Sequence, residues 1–235
     1  MRIVIDTETT GLNPESGDEI LQVSIIDADT KQVLFNELMR PKMVTSWDEA
    51  QAVNGITPEM VADKPTIDAY AYRIQSILSD STEIIGYNTI FDINFLSVSA
   101  GIDPPWGAKI IDVMQDYAKC YGIWSDKHHG YKWVKLVDAT EHFGYDWDAA
   151  PAHNSLGDVF ATLAVYEAMR DKNLYYIAQA FYADGTNAKG IAEHVGHAQR
   201  MLYQMEQRRE DIVRSQLIAI DQDGKPKLMI QHPPF

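Results

Sequence analysis

A chain of 235 residues with 46% hydrophobic and 23% charged side chains is long enough to bury a substantial core, which excludes disorder as its main state. The formal net charge of −14 disfavours broad nonspecific binding to nucleic acid, but it leaves room for a local site that holds cations. No apolar run approaches the ~20 residues that span a bilayer, and the single cysteine, Cys120, cannot form an internal disulfide. We therefore expect a cytoplasmic protein with no membrane partner.

The opening residues combine a buried strand with two carboxylates. Ile3, Val4 and Ile5 form an unbroken β-branched run, which predicts a central strand buried on both faces. Asp6 and Glu8 are two residues apart, so on a strand they share a face, where their charges repel unless a cation lies between them. Hard oxygen ligands in this arrangement suit Mg²⁺ or Mn²⁺. The alternative is a strand that merely ends in polar turn residues.

Strands and helices are then predicted to alternate. Strands 19–28 and 32–39 are joined by a connection short enough only for a hairpin. Ser46 and Glu49 form a capping box for a short helix that Gly55 stops. Further strands are predicted at 83–87 and 109–113. One helix is predicted to begin at Thr66, a second to end at Gly101 and a third to end at Tyr121. Two more are predicted over 134–143 and 155–169.

Beyond about residue 172 the sequence changes character. Residues 183–190 are interpreted as a link, and residues 192–216 as one long polar helix. Apolar runs on either side of Asp223-Gly224 predict a hairpin, whose second strand Pro226 makes an edge. We expect one domain over residues 1–171 and a C-terminal extension over 172–235 that has little core of its own.

Further polar residues lie beside predicted turns. Asp92 follows the fourth strand, and His153 and Asp158 open the last helix of the domain. Taken singly, the two acids are typical of a helix's first turn and the histidine is typical of a loop or cap. These residues belong to three motifs, DTETTG (6–11), GYNTIFDINFL (86–96) and HNSLGD (153–158). Taken in order, the three motifs resemble the DEDDh family of 3′-to-5′ exonucleases, which includes the proofreading subunits of bacterial polymerases.

The resemblance has direct implications for fold and chemistry. It implies an α/β, ribonuclease-H-like sheet of five strands in the order 3-2-1-4-5, with strand 2 antiparallel and helices on both faces. It implies that two divalent metals, Mg²⁺ or Mn²⁺, are held by carboxylates while a histidine acts as general base. The metal ligands are Asp6, Glu8, Asp92 and Asp158, and the base is His153. The implied substrate is a nucleic acid with a free 3′ end.

Substrate contacts are predicted from two sources. By resemblance, Leu12 and Ile56 pack on the terminal base while Asn88 and the backbone near Thr7 meet the 3′ end; the alternative for Leu12 and Ile56 is core packing. A locally basic loop is interpreted either as a contact for backbone phosphates or as a solvated surface. Its basic residues are Lys127, His128, His129, Lys132 and Lys135.

Three functions remain open from the sequence. The first is an exonuclease that releases nucleoside 5′-monophosphates, with single-stranded DNA as the expected substrate. The others are a nuclease that trims RNA or short oligonucleotides, and a noncatalytic module that docks on a replication or repair complex. The extension is expected to serve substrate handling or assembly, through a homodimer or a polymerase or clamp partner. Its last residues, QHPPF, resemble clamp-binding peptides in spacing.

Overall fold

The computed structural model describes residues 1–121, 124–125, 129–147, 154–170, 173–193, 195–221 and 224–232. The chain forms two compact units, of which the first comprises Met1–Met114 with Lys135–Tyr166 and the second comprises Gln115–Val134 with Glu167–Phe235. The domain boundary at residue 171 stays a prediction. Within the described ranges, no helix has the length and apolar character needed to cross a membrane.

A five-stranded sheet forms the centre of the first unit. Its order is β3-β2-β1-β4-β5, with β2 antiparallel to β1 and β3, and with β4 and β5 parallel to their neighbours, as predicted. The short link after β2 allows only an antiparallel neighbour, whereas the parallel strands require longer crossovers. The strands are β1 (Arg2–Thr9), β2 (Ile20–Asp27), β3 (Val33–Leu38), β4 (Glu83–Gly86) and β5 (Lys109–Asp112).

Helices connect these strands and complete the core of the first unit. Ile3 and Ile5 of β1 are fully buried and share a hydrophobic cluster with residues of the helices after β3 and β4, such as Ile74 and Phe95. The central position of β1 explains its unbroken apolar run. In chain order the helices are α1 (Asp48–Asn54), α2 (Pro58–Val61), α3 (Ala71–Ser79), α4 (Thr89–Ala100), α5 (Val113–Tyr121), α6 (Leu136–His142) and α7 (Ser155–Met169). Helix α5 begins in the first unit, but its residues from Gln115 onward belong to the second.

Two predicted helix starts are wrong. Helix α1 begins after Trp47 without a side-chain cap, so the Ser46–Glu49 capping box does not form. The Trp47 indole is buried instead and donates its Nε1–H to the Ile56 carbonyl at 2.7 Å, so tertiary packing sets this start. At Thr66 a short 3-10 turn precedes α3, again without a side-chain cap. The predicted stop at Gly55 is confirmed, because its φ of 71° is left-handed.

The second unit contains a four-stranded antiparallel sheet in the order β11-β10-β8-β9 and a small hairpin. The predicted C-terminal hairpin is confirmed, with the strand that begins at Pro226 at an edge. The other two strands of the sheet and both strands of the small hairpin were not predicted. The elements are β6 (Trp124–Ser125), β7 (Gly130–Tyr131), β8 (Asn173–Tyr182), β9 (Asn187–Ala192), α8 (Val195–Arg208), β10 (Ile212–Asp221) and β11 (Pro226–His232).

Both errors in the extension have a local cause. The supposed link 183–190 contains the turn of a hairpin, in which Gly185 has a φ of 81° and the Tyr182 amide donates to the Thr186 carbonyl. The supposed long helix ends at Arg208 because Ile212 and the residues after it pair with β8. Tertiary pairing overrides the helix-forming composition of this stretch.

Candidate active site

Three carboxylates converge at the carboxyl end of β1. Asp6 and Glu8 project from the same face of the strand, and Asp158 comes from the first turn of α7. One ligand oxygen from each of the three lies within 4.8 Å of the other two. The structure thus brings together residues that are far apart in the sequence.

The fourth carboxylate, Asp92, lies in the first turn of α4 and is only 2% exposed. Its Oδ1 accepts hydrogen bonds from the Thr7 backbone N–H at 2.9 Å and from the Thr7 hydroxyl at 2.7 Å. Because Thr7 lies between Asp6 and Glu8 in β1, these two bonds fix Asp92 beside the other acids. The carboxylate remains able to bind a cation through its second oxygen.

Burial raises the pKa values of three of the acids, and neighbouring carboxylates raise them further. Burial, followed by the charges of Asp158 and Asp92, raises the pKa of Glu8 from 4.5 to about 8, although a hydrogen bond from Asn54 opposes the rise. Burial raises the pKa of Asp92 to about 7. Burial and then the neighbouring carboxylates raise the pKa of Asp6 well above its usual range. In the metal-free protein, ionisation of the whole set is therefore unfavourable.

The donor set fits a divalent cation. All four groups offer hard carboxylate oxygens, which suit Mg²⁺ or Mn²⁺. Softer metals prefer thiolate or thioether sulfur, which none of these four groups provides. A bound cation removes the mutual repulsion that raises the pKa values of these acids. The site is thus chemically matched to the divalent-metal chemistry of nucleases.

Two buried serines hold α7 against the sheet. Ser24 of β2 pairs with Asp6 of β1, and its hydroxyl lies 2.6 Å from the Ser155 hydroxyl at the start of α7. Ser24 also donates to the Asn36 side-chain oxygen at 3.0 Å, so Ser155 must supply the proton of the serine pair. Since Ser155 lies one helical turn before Asp158, this contact sets the position of the Asp158 carboxylate.

A groove of about 650 Å³ adjoins Glu8 and is here called the Leu12 groove. Leu12 is 84% exposed at its edge, in a turn that requires glycine at position 11, because a Cβ there would lie 2.3 Å from the Asp18 carboxylate. Asp18 in turn accepts a hydrogen bond from the Asn13 backbone. The groove is lined by Thr9, Gly11, Leu12, Val53, Asn54 and Phe91, among others.

The predicted substrate contacts occupy different environments. Ile56 is 4% exposed and packs in a hydrophobic cluster with Trp47, whereas Leu12 borders an open groove. Asn88 has a left-handed backbone with a φ of 70°, and its N–H donates to Asp112 at 3.1 Å. Lys132 belongs to the second unit, where it lines a separate groove.

Some predictions fall on parts of the chain that the structure does not describe. His153, Lys127 and His128 lie outside the described residues, as do the last three residues of QHPPF. The general-base role of His153 and the clamp, polymerase and homodimer partners therefore stay predictions.

Sequence reasoning missed the residues that position the acids. Asn54 bonds to Glu8 and also donates to the Thr9 carbonyl at 3.3 Å, and its own oxygen accepts from the Ile56 amide at 3.0 Å. Its location in the Asn-Gly turn after α1 was the available signal. The Ser24–Ser155 contact has no local signal, because it joins residues 131 positions apart.

Thr7→Val should weaken metal binding. The substitution keeps the branched side chain but removes the hydroxyl that donates to Asp92, so one of the two bonds that hold this carboxylate is lost. Loss of such a supporting bond typically costs 10- to 100-fold in metal affinity or activity. Titration of activity with Mg²⁺ should show this loss for Thr7→Val, whereas Thr7→Ser should resemble the parent. An unchanged Mg²⁺ dependence in Thr7→Val would contradict the anchoring role.

The chain is similar in sequence and in fold to known exonucleases. A model of the RNase T exonuclease family matches residues 3–166. Over 177 residues the chain is 33% identical to the uncharacterized exonuclease CP81 of Escherichia phage 186, covering 72% of this chain and 87% of that protein. It is 36% identical over 98 residues to DNA polymerase III subunit epsilon of Rickettsia typhi, covering 40% of this chain and 42% of the subunit. Its fold is similar to the crystal structure of a full-length 3′-exonuclease, with a TM-score of 0.52, 21% identity, and coverage of 80% of this chain and 66% of that one.

Proposed function

The chain belongs to the RNase T family of DEDD 3′-5′ exonucleases, and on that premise we propose that it removes nucleoside 5′-monophosphates from the 3′ ends of single-stranded DNA. One observation carries this proposal. Carboxylates from β1 and α7 converge at the carboxyl end of the central strand, and Asp92 of α4 is bonded to Thr7, which lies between the two β1 acids. The complete set of acids favours catalysis over a noncatalytic docking role. Burying several carboxylates together is energetically unfavourable, and a docking module does not need them.

Asp6, Glu8, Asp92 and Asp158 hold two divalent cations in this proposal. When bound, such cations stabilise the charge on the attacking and leaving oxygens of an in-line phosphoryl displacement. The protein's own contribution is to fix the ligands: Thr7 holds Asp92, and Asn54 holds Glu8. His153 accepts the proton of the attacking water, because a neutral imidazole with a pKa near 6.5 can act as a base at neutral pH.

The Leu12 groove receives the terminal nucleotide. Its walls offer exposed apolar side chains, Leu12 and Val53, directly beside Glu8, and a base can pack against them. The Thr9 carbonyl lies at the same edge, where Asn54 donates a hydrogen bond to it. A frayed or single-stranded end can enter such a groove, whereas a paired terminal base must first be separated from its partner.

A second candidate substrate is a short oligonucleotide or RNA end. The net charge of −14 favours it, because a short substrate needs little electrostatic attraction along its backbone. Nucleases discriminate between the two sugars through contacts to the 2′-hydroxyl.

Cleavage assays with 3′-labelled substrates test the proposal. Single-stranded DNA, blunt double-stranded DNA, single-stranded RNA and a dinucleotide should be compared at saturating Mg²⁺, with the released product identified as a 5′-monophosphate. We expect the highest kcat/KM on single-stranded DNA and no activity for Asp6→Asn. Preference for RNA or for the dinucleotide would favour the second candidate, and activity retained by Asp6→Asn would contradict the proposed site.

A further inference from the structure

A second groove, of about 720 Å³, lies in the second unit and is of the size of ligand-binding clefts. One wall is a face of α5, and the other is the short segment 130–133 that includes β7. We call it the Trp133 groove. The lining residues used below are Gln115, Ala118, Lys119, Tyr131, Lys132 and Trp133.

The geometry of α5 makes one continuous wall. Gln115, Ala118 and Lys119 are separated by three and four positions, so they share one face of the helix. Ala118 is buried and small, and it leaves space between the longer side chains on either side. The wall thus presents an amide and an ammonium group around an apolar floor.

The charge of the groove is opposite to that of the chain. It carries Lys119 and Lys132, and no carboxylate is among the described residues that line it, although the whole chain has a net charge of −14. Lys119 pairs with Asp116 at 3.1 Å, but both side chains are more than half exposed, and such pairs contribute little. Lys132 forms no ion pair with any residue that the structure describes. The groove therefore attracts an anion locally.

Two aromatic side chains line the same groove in exposed positions. Trp133 is 65% exposed and Tyr131 is 43% exposed. Every nucleobase has a π-face that stacks on such rings irrespective of its sequence, and cations beside the rings then meet the phosphates. Lysines interleaved with exposed aromatics are the combination that single strands require, whereas a duplex keeps its base faces stacked and unavailable.

We propose that the Trp133 groove binds single-stranded nucleic acid, with bases stacked on Trp133 and Tyr131 and with phosphates beside Lys132 and Lys119. This inference rests on the proposed function, in which a nucleic acid is the substrate. It adds a binding surface that is separate in composition from the carboxylate site. It also gives an acidic exonuclease a local means of holding a strand that its overall charge repels.

Binding of a labelled single-stranded oligonucleotide to the full chain in EDTA tests the inference by fluorescence anisotropy, since cleavage is then suppressed. Trp133→Ala should raise Kd about tenfold, the effect of losing one stacked base, while Trp133→Phe should bind almost as the parent does. Trp106→Ala is the matched control, because Trp106 is a fully exposed tryptophan of the first unit, and it should leave Kd unchanged.

The salt dependence of Kd tests the lysines separately. Lys132→Gln should reduce the slope of log K against log salt by about 0.7, the value for one lost phosphate contact on a single strand. Lys109→Gln is the control. Lys109 is exposed at the amino end of β5, and the carboxylates lie at the opposite end of the strands. It should leave the slope unchanged.

The outcomes separate this inference from the proposed function. If Trp133→Ala binds as tightly as a parent chain that cleaves normally, the groove assignment is overturned and the exonuclease assignment survives. A parent that neither binds nor cleaves the oligonucleotide contradicts both. If Trp133→Ala instead changes the sedimentation coefficient without changing Kd, the groove contacts a second copy of the chain, and the nucleic-acid assignment is also overturned.

Discussion

His153→Ala should lower kcat by about 10² to 10⁴ while leaving Mg²⁺ binding close to that of the parent. The reason is a division of roles: His153 is proposed to move a proton, and a positioned general base typically contributes this factor. Asp158, in contrast, is grouped with Asp6 and Glu8 within 4.8 Å, so Asp158→Asn should lose both rate and metal affinity. Single-turnover rates and Mg²⁺ titrations by calorimetry measure the two effects independently.

The pH profile and a control variant sharpen this prediction. Because a base must be neutral to accept a proton, the parent's rate should rise with pH through a pKa near the ordinary histidine value of about 6.5. His153→Ala should flatten this limb. His197→Ala, at an exposed position on α8, should keep the parent's rate and profile. If His153 merely caps α7, its substitution should cost about 1 kcal/mol of stability and leave the rate unchanged, which would refute the general-base role.

The metal-free protein should lose several kcal/mol of stability as the pH rises from about 4.5 to 8. The pKa of Glu8 is raised from 4.5 to about 8, and that of Asp92 from 3.8 to about 7, when the chain folds. Between these limits the folded state binds more protons than the unfolded state, so the free energy of unfolding falls with increasing pH. This contribution is fully present below the unfolded pKa values and is lost above the folded ones.

Bound Mg²⁺ should reduce that pH dependence, because the cation replaces the protons that the folded acids would otherwise hold. Saturation at a hundredfold excess over Kd adds about 2.7 kcal/mol at neutral pH. Urea unfolding at pH 5, 6.5 and 8, with EDTA or with Mg²⁺, measures both terms. Glu8→Gln should reduce the slope in EDTA, whereas Asp63→Asn, at an exposed position in the first unit, should keep it. Coincident curves with EDTA and Mg²⁺ would show that the acids do not form a cation site.

The central sheet was predictable because its signals are local and redundant. The apolar run Ile3 to Ile5 predicts a buried strand, and the short connection between β2 and β3 dictates a hairpin. The first two acidic motifs follow β1 and β4, which are neighbouring parallel strands, so their carboxyl ends lie at the same end of the sheet. The third motif opens α7, and the approach of Asp158 to Asp6 and Glu8 was expected only from the family resemblance.

The errors arose where long-range contacts decide the local conformation. The capping box predicted at Ser46 does not form, because Trp47 is buried and its indole donates a hydrogen bond to the Ile56 carbonyl. The helix predicted through residue 216 ends at Arg208, because the residues from Ile212 onward pair with β8, where Ile212 lies opposite Tyr182. The hydrogen bond from Thr7 to Asp92 joins residues 85 positions apart, and no periodicity in the sequence indicates such a bond. Such contacts depend on the folded arrangement and could not be derived from sequence spacing.

The Ser24–Ser155 contact has a consequence for the order in which the nuclease matures during synthesis. Three of its four acids belong to the first 92 residues, but the fourth, Asp158, arrives on a helix that must dock on β2 through this hydroxyl pair. Chains fold from the amino end as they emerge from the ribosome, at about 5 to 20 residues per second. A nascent chain with a finished β1–β5 sheet thus still lacks the fourth acid of the proposed cation site, and the site is completed only after α7 has been released.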